Sequence, residues 1–156
     1  MLPGIVRIRV AARWIMAAFY LAAGIIHVAR PGTFLPIMPA WVPYPLAVVL
    51  GTGACEIAGA IGLVVPLLRR AAGIGLAFYA ICVFPANIKH ALDGLPPGEV
   101  QLTWWYHAPR LAFQPVLVWW ALWVGEVVAW PFGRRLQVVT SPTAESLPEP
   151  RENEHG

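Results

Sequence analysis

The sequence predicts an all-α membrane protein, a bundle of four transmembrane helices with both termini in the cytoplasm. Three observations predict it: too few charges for a water-facing surface, four apolar runs of spanning length, and basic residues gathered on one side of those runs. Apolar residues make up 58% of the 156-residue chain and charged residues only 12%. A soluble domain carries about 25% charged residues, and half that share cannot cover a folded surface in water.

A hydrocarbon core about 30 Å thick is crossed by roughly 20 apolar residues of helix. Val10–Ala29, Pro45–Leu68, Ala71–Leu92 and Ala108–Phe132 each meet that length. The first run follows Arg7 and Arg9 and contains Arg13, basic residues placed as they are at the start of a secretory leader. It continues into His27 and Arg30 without a small-residue cleavage site, so it is read as a retained helix.

Arg7, Arg9, Arg13, the pair Arg69-Arg70 and the pair Arg134-Arg135 fall on one side of these spans, whereas Arg30, Lys89 and Arg110 border the other. Cytoplasmic connections carry the excess of Lys and Arg, which puts both termini inside and the loops near 30–44 and 93–107 outside. Trp41, Tyr44, Trp104, Trp105 and Tyr106 on those loops suit the headgroup level. Residues 1–135 are then one transmembrane domain. Residues 136–156, polar and interspersed with proline and glutamate, have too little apolar surface to fold and read as a disordered cytoplasmic tail.

The net charge of +3 is divided among short connections, with no Lys/Arg-rich run, Gly-rich phosphate loop or zinc-spaced Cys/His set. No nucleic-acid partner is expected. The expected surroundings are the lipid bilayer and a membrane-protein partner or a second copy of the chain. Ala54, Ala58 and Gly62, four apart, suit close helix packing in lipid. Trp119, Trp120 and Trp123 make the fourth run bulky, and some of them are expected to face lipid or a partner.

Polar residues recur toward the outer ends of the spans. His27 and Arg30 are three apart and share a helix face; Asn87 and His90 do the same, and Arg110 and Gln114 are four apart. Glu56 lies near the middle of the second run, where an unpaired carboxylate is expensive; it must face the interior, paired or protonated. Lys89 points away from Asn87 and is expected to snorkel to the interface. Pro85 and Pro115 free the carbonyls of Ile81 and Leu111, a break tolerated where backbone lines a protected cavity. His107 reads as a solvated loop residue, and Glu126 as a partner for an inner arginine such as Arg13 or Arg134. Histidines with Glu56 have the residue types for zinc or iron, but no His pair has helical ligand spacing, so no metal site is expected. Cys55 and Cys82 read as buried small hydrophobes, with a redox pair as the alternative.

The stretches "RPGTFLPIMPAWVPYP", Glu56 within "GACEIAGAIGLVVPLLRR", "FPANIKHAL" and "RLAFQPVLVWWALW" together resemble the DoxX family of small bacterial four-helix membrane proteins. The resemblance spans roughly residues 10–130. It implies a bacterial inner-membrane location and an association with membrane complexes that handle thiol or oxidative stress. The family name comes from similarity to a subunit of a thiosulfate:quinone oxidoreductase.

These readings lead to one main expectation. A lipophilic small molecule, with a quinone as the candidate, binds in the outer half of the bundle near His27, Arg30, Asn87, His90, Arg110 and Gln114. Glu56 is the candidate proton-exchanging group. The alternatives are a membrane enzyme performing acid–base isomerisation or redox chemistry on a lipophilic substrate, a scaffold that uses the tryptophan face, and a small oligomeric transporter.

Overall fold

The computed structural model describes residues 3–94 and 103–131. Most of the loop expected to be the second outer one, Arg134-Arg135 and the expected 136–156 tail lie outside the described residues. Among the described residues every regular element is helical: α1 (Pro3–Ala29), α2 (Pro45–Val64), α3 (Arg69–Asp93), α4 (Trp104–Ala112) and α5 (Gln114–Val124), with two short 3₁₀ turns at Pro31–Thr33 and Leu35–Ile37. Three of these helices, Gly4–Ala29, Pro45–Val64 and Arg69–Asp93, are long and apolar enough to cross a membrane.

The helix bounds differ from the sequence expectation for identifiable reasons. α1 begins at Pro3 instead of Val10, since proline is well suited to a first turn, and this adds Arg7 and Arg9 to the helix that already held Arg13. α2 stops at Val64 instead of Leu68. Pro66 disfavours helical backbone at the residue before it, and Val65 is extended, with φ −81° and ψ 115°. The expected fourth helix at 108–132 is two shorter ones. Pro115 cannot donate to Leu111, and the chain steps from α4 to α5 at Phe113. α5 ends at Val124, just before Gly125 and Glu126, the latter in a left-handed conformation with φ 61°.

The end of the bundle that carries Arg9, Arg13 and Arg69 is packed solid. Met16, Tyr20, Leu63, Leu76, Ala121 and Val124 meet there with almost no exposure. Helix contact in lipid depends on van der Waals fit, and two close approaches supply it. A Cβ on Gly24 would lie 2.7 Å from the Gly53 carbonyl oxygen, so α1 and α2 touch backbone to backbone. A Cβ on Gly73 would lie 2.8 Å from the Ala121 oxygen, which locks α3 to α5. Of the small residues expected to pack α2, Gly62 meets Ala72 of α3, but Ala54 and Ala58 are exposed on the outer face.

A polar knot closes this end. Arg13, buried, donates from Nε to the Val124 carbonyl at 3.0 Å and from Nη2 to Glu126 Oε1 at 2.6 Å. Arg69 Nη1 reaches the same oxygen at 3.1 Å. Glu126 thus has its expected inner arginine, and a second one from α3. Trp123 is buried and stacked on Trp119, and the Arg9 guanidinium lies 5.1 Å from its ring, so this tryptophan belongs to the core instead of an outer face.

Candidate functional site

Toward the opposite end the helices diverge around a cavity of about 270 Å³. All five helices contribute to its wall. Phe34, Ile37 and Met38, from the 3₁₀ segment after α1, roof it. The wall is mostly apolar, with polar groups at two places.

The first place is Glu56, which is 4% exposed. α2 and α3 run antiparallel from a short turn, so residues at similar distances from that turn meet in mid-bundle. Tyr79 of α3 therefore reaches Glu56, donating from its hydroxyl to Oε1 at 2.7 Å. From α1, His27 Nδ1 lies 2.7 Å from Oε2 and 3.0 Å from the Ala23 carbonyl oxygen. Both are acceptors when Glu56 is ionised, so Nδ1 carries a hydrogen. The N–H axis is directed at Ala23, and Oε2 is left buried beside it without a well-formed hydrogen bond. His27 is held in place by stacking on Phe34, with ring centroids 3.8 Å apart.

The second place is built around the proline turn of α3. Pro85 gives no N–H to the Ile81 carbonyl and crowds the preceding turn. There the Gln114 amide donates to the carbonyl of Ala80, one residue before Ile81, and accepts from Asn87 Nδ2 at 3.2 Å. Arg110, one turn before Gln114, donates from Nη2 to the Asn87 carbonyl at 3.2 Å. Its Nη1 faces His90 Nδ1 at 3.2 Å and the Tyr106 hydroxyl at 3.4 Å.

Of the residues expected at a site, His27, Glu56, Asn87, Arg110 and Gln114 line the cavity together. His90 and Arg30 do not. His90 is buried behind Arg110, where Nδ1 must accept because a guanidinium only donates. It orients Arg110 and is not part of the wall. Arg30 is exposed, just past the end of α1. His107 is not a solvated loop residue: it is on α4, 3% exposed, with its ring 4.9 Å from that of His90. Lys89 does point away from Asn87, yet it is tied down, donating to the Pro36 carbonyl at 3.1 Å and pairing with Asp93 at 3.4 Å.

Cys55 and Cys82 are free and exposed, on a separate apolar groove of about 570 Å³ along the outer face of α2 and α3, not packed inside the bundle. Among the described residues no three of His, Cys, Asp and Glu gather as a metal site. The sequence reading missed Tyr20, Thr52 and Tyr79 on the cavity wall. Tyr79 had a readable signal, a phenol within an apolar run at about the depth of Glu56.

The fold and cavity define a helical protein with three membrane-compatible helices arranged around a mostly apolar, internally polar site. A family model described as "Domain of unknown function (DUF8561)" matches residues 16–125, and the chain belongs to that family. The matched segment begins within α1 and ends after α5, so it contains every residue of the cavity wall. No curated protein and no solved structure matches the chain.

Proposed function

We propose that this is a four-span protein of the bacterial inner membrane, with α4 and α5 together forming the fourth span and both termini cytoplasmic. Its cavity binds a lipophilic small molecule with an oxygen-bearing head, of which a quinone is one. The observation that carries this reading is Glu56: a buried carboxylate on an apolar wall, with Oε2 directed into no good hydrogen bond. A carboxylate at that depth is costly unless something uses it, and a mostly apolar cavity with a few convergent polar groups suits a small lipophilic ligand. At about 270 Å³ the space takes a head group, and any long tail leaves through the cavity mouth. The resemblance to DoxX proteins favours a subunit or accessory role in a membrane redox or stress complex.

A second reading is acid–base catalysis on the same ligand. The grouping of Glu56 with the His27 imidazole and the Tyr79 hydroxyl favours it, since one group could take a proton while another gives one. Glu56→Gln would then abolish turnover while leaving the ligand bound.

The binding reading is tested by purifying the protein gently from its native membrane, extracting it with organic solvent and identifying what is released by mass spectrometry. A stoichiometric lipophile released from the wild type and absent from the Glu56→Gln, Asn87→Ala variant is the expected result. If both release only bulk lipid, the cavity does not hold a resident ligand.

A further inference from the structure

The cavity is fastened on every side but one. α1 meets α2 backbone to backbone at Gly24 and Gly53. α2 is tied to α3 by the bond from Tyr79 to Glu56. α3 is tied to α5 through Gln114, which bonds Ala80 and Asn87, and to α4 through Arg110. The 3₁₀ segment roofs the space, held by Lys89 and by the stack of Phe34 on His27. Met16, Leu76 and Ala121 pack the floor. What remains is the seam between α1 and α5.

Among the described residues the polar ties across that seam come from Arg9 and Arg13, which reach Trp123, Val124 and Glu126 at the basic end. Arg9, Met16, Phe19 and Ala23 recur at helical spacing, so the stripe of α1 turned toward α5 continues beyond the packed end. The two helices run antiparallel with the same rise per residue. Equal steps onward from Arg9 and back from Trp123 set Phe19 level with Phe113; equal steps from Arg13 and Val124 set it level with Val118. Leu117 lies between those levels and lines the cavity together with Phe19. Along this stripe Met16 is fully buried, whereas Phe19 is 55% exposed. Every other residue of the cavity wall is buried or half-buried. A side chain that borders both the cavity and the exterior marks the mouth.

Outside the seam Ile15, Phe113 and Val116 are exposed and apolar, a surface matched to hydrocarbon chains. Resting on the reading that the cavity holds a lipophilic small molecule, we infer that the mouth opens sideways into lipid between α1 and α5. The ligand is a tailed lipophile whose chain crosses this seam beside Phe19 while its polar head stays inside. The distribution of polar groups on the wall agrees with that orientation. Phe19, Ala23 and Leu117, at the seam, are apolar. Thr52 and Glu56 of α2 and Tyr79 and Asn87 of α3 lie on the helices across from it, and the Gln114 amide is turned to α3. The ligand therefore exchanges with the bilayer instead of passing the roof, and Phe19 is the side chain that its tail must pass.

The experiment is photolabelling of the full-length protein in phosphatidylcholine nanodiscs. Two probes are used separately: decylubiquinone and hexadecanol, each with a diazirine on its chain a few carbons from the head. Adducts are mapped by peptide mass spectrometry, with and without an excess of the unlabelled parent compound. The label that the parent competes away is expected on Phe19 and its neighbours in α1 and on residues 113–118. Phe78, exposed on the separate groove of α2 and α3, should carry only label that the parent does not compete away. Competed label concentrated on the roof at residues 34–38, or on α2 and α3, overturns the inference and leaves the lipophile reading in place. If neither probe gives competed label anywhere, the cavity does not take such lipophiles and the underlying reading falls too.

Discussion

Tyr79 donates its phenolic hydrogen to Glu56 at 2.7 Å, joining α3 to α2 by way of a buried carboxylate whose other oxygen lies beside His27 of α1. The bond fixes which way the carboxylate faces. With Oε1 held by Tyr79, Oε2 is the oxygen turned toward His27. The orientation of the carboxylate is therefore set in part by a residue that carries no charge of its own.

Tyr79→Phe removes the donor and keeps the ring. Polar contacts within membrane bundles average about 0.6 kcal/mol, with the best near 1.7; a short bond to a buried carboxylate belongs at the upper end. The expected loss is about 1–2 kcal/mol in thermal unfolding in detergent. A double-mutant cycle with Glu56→Gln checks that the loss comes from this bond. Coupling below about 0.3 kcal/mol would show that the two side chains do not depend on each other.

The glycine contacts separate packing from composition. At Gly24 a methyl group would meet the Gly53 carbonyl at 2.7 Å, whereas at Gly75 it would meet nothing within 4 Å. Gly24→Ala must push α1 off α2, an overpacking cost of about 1–3 kcal/mol. Gly75→Ala gains helix propensity and should be neutral or stabilising by up to about 1 kcal/mol. Unfolding midpoints of the two variants make the comparison. Equal midpoints would mean that the α1–α2 contact is looser than drawn.

Glu126 serves two arginines, and its loss is not symmetrical with theirs. Glu126→Gln leaves Arg13 buried without a counter-charge and close to Arg69, the situation in which breaking a pair is worst. Because the Glu126 side chain is 42% exposed, the full buried-pair cost is discounted to about 1–2 kcal/mol. Arg69→Gln should cost less than about 1 kcal/mol, since Glu126 keeps Arg13. Unfolding in detergent that ranked the two in the opposite order would place the main anchor at Arg69.

How far the sequence could lead depended on whether a feature is local or needs a partner. Pro45 marks the start of α2 and Ala29 the end of α1, and both were readable from apolar runs and helix-breaking residues. Arg110 and Gln114, four apart, do share the cavity face, because helical spacing alone decides that. Asn87 and His90 share a face in the same way, yet only Asn87 reaches the cavity. Which of two aligned side chains lines a space depends on the neighbouring helix, here α4, whose Arg110 occupies the position in front of His90. The cysteines show the same limit: two thiols in apolar runs look buried, but the face that carries them turned outward once Gly53, Gly59 and Gly62 had chosen the neighbours of α2.

Lys89 offers a test of how the cavity is closed. It sits on α3, but its ammonium donates to the carbonyl of Pro36, in the segment whose Phe34, Ile37 and Met38 form the roof. Among the described residues no other side-chain hydrogen bond joins α3 to that segment, while Phe34 is held separately by stacking on His27. Lys89→Met keeps the apolar stem and removes the donor. Amide hydrogen exchange across residues 33–38 should then speed up by about fivefold, the effect of losing about 1 kcal/mol of local stability, with α2 unchanged. Exchange identical to the wild type would assign the roof to the Phe34–His27 stack alone, and His27→Ala would then be the substitution that opens it.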